Sequence, residues 1–137
     1  MEPLTKVYHD WLCTTIDEKG VTLPFGFALG SDDGLSAYAL DLTPKQAYAH
    51  MLAECALKKP REMIFGLDRF AKPGQGTTLG DLIAGHHFVA GKPTRPFIVE
   101  YQHEPRIVRP IDWNNMFWNA TLLLELRGNI TAMLTRS

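Results

Sequence analysis

The chain predicts an α+β fold: a mostly antiparallel sheet of five to seven strands, with two helices from the N-terminal half packed on one face. Three observations carry this. An apolar stripe of helical period opens the chain. A capped helix follows between residues 43 and 60. Beyond Pro60 the sequence becomes a series of short apolar runs punctuated by glycine and proline. Segregating helices from strands in this way leaves few of the alternating units that build parallel sheets.

The first helix is expected from about Leu4 to Ile16. Leu4, Val7, Tyr8, Trp11, Leu12 and Ile16 recur at the spacing of one helical face, and Lys19-Gly20 is a suitable stop. Leu23–Leu29 and Leu35–Leu40 read as two strands. Between them, Gly30-Ser31-Asp32-Asp33-Gly34 has the composition of a turn. The second helix has the fuller signature: Thr43 as cap, Pro44 in the first turn, and Gln46 placed to complete a capping box. Lys58-Lys59 complements its C-terminal dipole, and Pro60 ends it.

Glu62–Phe70, Leu79–Val89, Pro96–His103 and Arg106–Trp113 are then expected as strands. For Leu79–Val89 a short helix capped by Thr78 is the alternative. In Glu62–Phe70, alternation places Met63, Phe65, Leu67 and Arg69 on one face and Ile64, Gly66, Asp68 and Phe70 on the other. Both sets are apolar until the charges begin, which marks a central strand covered on both sides. In the tail, Leu122–Leu126 and Ile130–Leu134 are read as two strands joined at Arg127-Gly128-Asn129. A helix over Asn115–Leu126, with Met116, Phe117, Ala120, Leu123 and Leu124 inside, is the alternative.

The 137 residues are a usual length for a single domain, and an apolar fraction of 45% provides enough surface for one core. Net charge is −1, with a mild basic bias in the middle of the chain. That is not the concentrated basic stripe expected of a nucleic-acid-binding surface. The two cysteines, Cys13 and Cys55, are too few for a disulfide framework. No signal-like start or long apolar run is present, so a cytoplasmic protein that does not span a membrane is expected.

Motifs for chemistry are sparse. Gly74-Gln75-Gly76-Thr77-Thr78-Leu79-Gly80 after Lys72 has neither the dinucleotide fingerprint nor a nucleotide P-loop lysine, and reads as a hairpin turn. His86 and His87 are adjacent and on a strand would point to opposite faces, so no metal site is expected. His50–Gly66 superficially resembles the opening of JAMM-type metalloproteases, in which a helix precedes a strand bearing a catalytic glutamate. The metal motif that the resemblance would imply is incomplete, however. Gln102-His103-Glu104-Pro105 supplies one of two histidines, and no serine follows it before Asp112. Membership is therefore not assigned. None of the three serines, Ser31, Ser36 and Ser137, lies in a nucleophile elbow.

The residues singled out for a ligand or partner are Asp68, Arg69, Lys72, His87, Arg109 and Trp113. The first three mark the charged end of a central strand. Arginine beside tryptophan is the composition of a binding hot spot. The reading is a small binding or interaction domain, with no cofactor, that forms a homodimer to cover its edge strands. A hydrolase pairing Asp68 or Asp81 with a histidine is the second reading, and it requires those groups to converge. Single-stranded nucleic-acid binding is the third, and requires Lys72, Lys92, Arg95, Arg106 and Arg109 to share a face.

Overall fold

The computed structural model describes residues 3–19 and 24–135. Helix α1 (Leu4–Lys19) precedes β1 (Phe25–Leu29), β2 (Leu35–Ala39), α2 (Pro44–Lys58), β3 (Glu62–Phe70), β4 (Asp81–Val89), β5 (Arg95–Gln102), β6 (Ile107–Val108) and α3 (Met116–Thr135). The strands form one antiparallel sheet in the order β2-β1-β3-β4-β5-β6. The α+β class and the antiparallel sheet thus agree with the sequence, and β3 is central. Among the described residues, no helix is long and apolar enough to cross a membrane.

The helices do not share one face. Leu4, Tyr8, Leu12 and Ile16 of α1 pack on Phe25, Phe27, Ile64, Ile83, Phe97 and Val99. On the other face, Tyr48, Met51 and Leu52 of α2 meet Met63, Phe65 and Leu67. There too, Trp118 and Leu122 of α3 cover Leu82, Ala84 and Ile98. The cause is the double-sided apolar pattern of β3, which β4 repeats: each parity needs its own cover.

The tail is the main correction. Met116–Thr135 is one helix, not a hairpin. Asn115 starts it, its Oδ1 accepting the Trp118 N–H at 2.9 Å. Trp118, Leu122 and Leu126, spaced four apart, make the buried stripe. Gly128 lies within the helix, where one glycine costs about 1 kcal/mol against alanine, less than the burial of that stripe returns. The inward residues also differ from the expected helical set. Met116 and Leu124 are 87% and 66% exposed.

Smaller differences have local causes. The expected strand Arg106–Trp113 shrinks to Ile107–Val108, because Pro110 interrupts pairing; a single bridge from Asp112 to Ile98 follows. Leu79–Val89 yields strand β4 rather than a helix, with the Thr78 and Leu79 N–H groups donated to Glu100 Oε1 at 2.7 and 3.2 Å. Gly20 of the expected helix stop, and Leu23, lie outside the described residues. The glycine turn closes the β3–β4 hairpin: Lys72 N–H bonds Gln75 Oε1 at 2.8 Å, and Gly74 and Gly76 take φ of 88° and 79°.

The capping box of α2 is formed in full. Gln46 N–H donates to Thr43 Oγ1 and Thr43 N–H to Gln46 Oε1, each at 3.3 Å. Thr43→Ala is therefore expected to lower stability by about 1 kcal/mol, read as a shift in urea midpoint. An unchanged midpoint would show that the cap contributes nothing.

Candidate functional site

Alternation along β3 decides where its charges go. Arg69 emerges on the α2–α3 face, where its guanidinium makes two hydrogen bonds to the Glu125 carboxylate of α3, at 2.7 and 2.9 Å. It also lies over the Trp118 ring, 5.2 Å from its centre. Asp68 emerges on the opposite face and accepts the Tyr101 hydroxyl at 2.6 Å. Burial, then the bond to Asp68, pushes the Tyr101 phenol well above its usual range.

On the α2–α3 face, the start of α2, the end of β3 and α3 enclose a groove of about 710 Å³. Pro44, Lys45, Tyr48, Leu67, Arg69, Glu125 and Gly128 line it, with Asp68 at its rim. The groove falls where the two helices covering this face leave the end of the sheet between them. Its walls combine apolar area from Pro44, Tyr48 and Leu67 with the charges of Lys45, Arg69 and Glu125.

Beneath the groove lies a buried polar pair. His86 Nε2 meets the Leu122 carbonyl at 3.0 Å, an acceptor only, so Nε2 carries the proton. Nδ1 is then the acceptor for the Tyr48 hydroxyl. Burial drives the His86 pKa down to about 4 and leaves the ring neutral, while burial and the Glu125 carboxylate push the Tyr48 phenol far up. Tyr48 is accordingly a fixed neutral donor whose proton is directed into the core.

The six residues singled out from the sequence do not converge on one site, although Asp68 and Arg69 both border the groove. Asp68 and Arg69 are on opposite faces. Lys72 lies in the β3–β4 turn. His87 and Trp113 do meet, on the α1 face, with ring centres 5.7 Å apart; His87 Nε2 also pairs with Glu62 Oε2 at 2.6 Å, and Arg95 lies 4.1 Å above the Trp113 ring. Arg109 contributes its backbone there, its carbonyl accepting from His9 Nε2 at 2.7 Å. A single ligand cannot touch both the Arg69 groove and the Trp113 cluster, because the sheet lies between them.

The acid–base groups are likewise divided. His86 faces α2 and α3, whereas Asp68, Asp81 and His87 face α1. Asp68 is bonded to a tyrosine rather than a histidine. Lys72 and Lys92 occupy successive hairpin turns, hence opposite ends of β4. Nine residues of strand separate those ends by about 30 Å. No group of three or more His, Cys, Asp or Glu among the described residues could hold a metal.

Sequence reasoning missed Tyr48, His86 and Glu125 as groove and floor residues. Tyr48 sits within an apolar stripe and reads there as core. The i+4 spacing of Trp118, Leu122 and Leu126 was the available signal for α3, and hence for placing Glu125. No protein-family model, curated protein or solved structure matches the chain.

Proposed function

We propose that this chain is a small-ligand binding domain whose site is the groove between α2 and α3 at the end of β3. The observation that carries the reading is the groove itself. It joins apolar walls to the held Arg69–Glu125 pair and the exposed Lys45, the composition typical of ligand sites. The ligand is an organic molecule of mixed polarity. Its flat apolar part rests on Pro44, Tyr48 and Leu67, and its polar ends address the Lys45 and Arg69 cations and the Glu125 carboxylate. No chemical step is assigned. Asp68 bonds a tyrosine rather than a histidine, and His86 lies across the sheet from both aspartates, which favours binding over acid–base hydrolysis.

A cytoplasmic setting and a homodimer belong to the same reading. Both cysteines are free, as suits a reducing compartment. The outward side of α3 exposes Phe117, Leu123 and Leu124, and β2 is an uncharged edge strand; both favour cover by a second copy. A monomer by sedimentation at high micromolar concentration would remove the dimer from the reading without touching the groove.

Ligand-observed NMR against a library of small aromatic acids, amines and zwitterions tests the site. Hits are expected on the wild type, with affinity at least about tenfold weaker in Arg69→Ala, as for loss of a charged hydrogen-bonding group. Hits that bind Arg69→Ala equally well, or no hits, would overturn the assignment.

A further inference from the structure

The two cysteines, similar in burial, differ in surroundings. Cys55 has burial alone acting on its thiol. Cys13 lies one turn beyond His9 on α1, with Sγ 3.7 Å from His9 Nδ1. The other ring nitrogen, Nε2, meets the Arg109 carbonyl at 2.7 Å. A carbonyl only accepts, so Nε2 bears a proton, and in the neutral tautomer with that proton Nδ1 presents its lone pair toward the sulfur. Arg106 closes the group, donating from Nη2 to the Cys13 carbonyl. The His9–Cys13 contact is one helical turn, whereas the Arg106 and Arg109 contacts, 93 and 100 residues away, are tertiary. His9 is also shared with a shallow cavity of about 300 Å³ walled by Lys6, Pro110, Ile111 and Trp113.

A nucleophile within reach of a base, with the base oriented by a third group, is the arrangement that activates thiols. We infer that Cys13 is a thiol-exchange site that takes small anionic disulfides. The Cys13 sulfur attacks one sulfur of the disulfide, and a mixed disulfide forms as the original S–S bond breaks. The Cys13 proton passes to His9 Nδ1, and the second half departs as a thiolate. No net oxidant is needed beyond the disulfide itself. Burial holds the Cys13 thiol above its usual range, with Asp10 adding to it, against the Arg106 guanidinium, which favours the anionic sulfur and an anionic reagent. At rest the thiol therefore stays protonated, and its reactivity depends on His9 taking the proton during attack.

The test uses the full chain with one thiol at a time, as Cys55→Ser and Cys13→Ser. Each reacts at pH 7.4 with 5,5′-dithiobis(2-nitrobenzoate), and release of the coloured thiolate is followed. Cys13 is expected to react about tenfold faster than Cys55. His9→Asn in the Cys55→Ser background should bring the rate down to that of Cys55. Arg106→Gln should slow the anionic reagent more than neutral 2,2′-dithiodipyridine. Unfolding exposes a thiol and speeds it, so a misfolded His9 variant cannot imitate the expected slowing. Equal rates for the two cysteines, or a Cys13 rate indifferent to His9→Asn in the folded protein, would overturn the inference.

Discussion

Replacing Gly66 with alanine is expected to lower the unfolding free energy by about 3 kcal/mol, the upper end of what overpacking costs in a closed core. Gly66 lies in the middle of β3, paired with Gly85 on one side and Phe25 on the other. The two adjacent glycines leave a trough in the sheet between Phe25 and Phe97. The Tyr8 ring of α1 fills it, held edge-on by Phe27 and Phe97 at centre distances of 6.4 and 5.7 Å. A methyl group on Gly66 would overlap the Tyr8 hydroxyl and come within 2.7 Å of Ile83 Cγ2. Tyr8 cannot swing aside, because it is fully buried among those rings, so α1 as a whole must lift. Urea unfolding checks this. The double variant Gly66→Ala with Tyr8→Phe should recover part of the loss, since it removes the overlapping oxygen. A loss below about 0.5 kcal/mol in the single variant would show that α1 is not seated by this trough.

The second large effect is acid destabilisation through His86. The ring is neutral when folded because burial holds its pKa near 4, against 6.5 for an ordinary histidine. Between those values the unfolded chain binds a proton that the folded chain refuses. Stability therefore falls as pH drops from 6.5 to 4, by roughly 3 kcal/mol in all, and the contribution is constant outside that window. Below pH 4 both states carry the proton, and no further loss comes from this group. His86→Gln removes the titration. The difference in unfolding free energy between wild type and variant, measured from pH 7 to 4.5, should narrow steadily on acidification. A difference that stays flat or widens would mean that His86 titrates as if exposed, and that its bonds to Leu122 and Tyr48 do not hold.

What the sequence revealed depended on the range of the signal. The Thr43–Gln46 box lies within four residues, and it is formed as read. Alternation in Glu62–Phe70 gave the central strand, covered on both faces, from the residues of that strand alone. The same alternation sends Asp68 and Arg69 to opposite faces of the sheet, so they meet different partners even though both border the groove at the strand's end. Arg69 is held in an ion pair with Glu125, 56 residues away, a pairing visible only once the tail is a helix. The tail was misread because a hairpin-like Arg127-Gly128-Asn129 outweighed the four-residue repeat of Trp118, Leu122 and Leu126. Local turn chemistry lost to burial. Tyr48 and His86 occupy apolar positions of their elements, and a polar pair buried between two elements leaves no local trace.

The proposed ligand site is the α2–α3 groove and not the Trp113 face. Protein-observed NMR tests it most directly, by mapping backbone amide shifts on titration with the hits of a fragment library. Shifts are expected to concentrate at Lys45, Tyr48, Leu67, Arg69, Glu125 and Gly128, with residues around Trp113 and Arg95 unmoved. Shifts concentrated around Trp113, His87 and Arg95, with the groove silent, would contradict it.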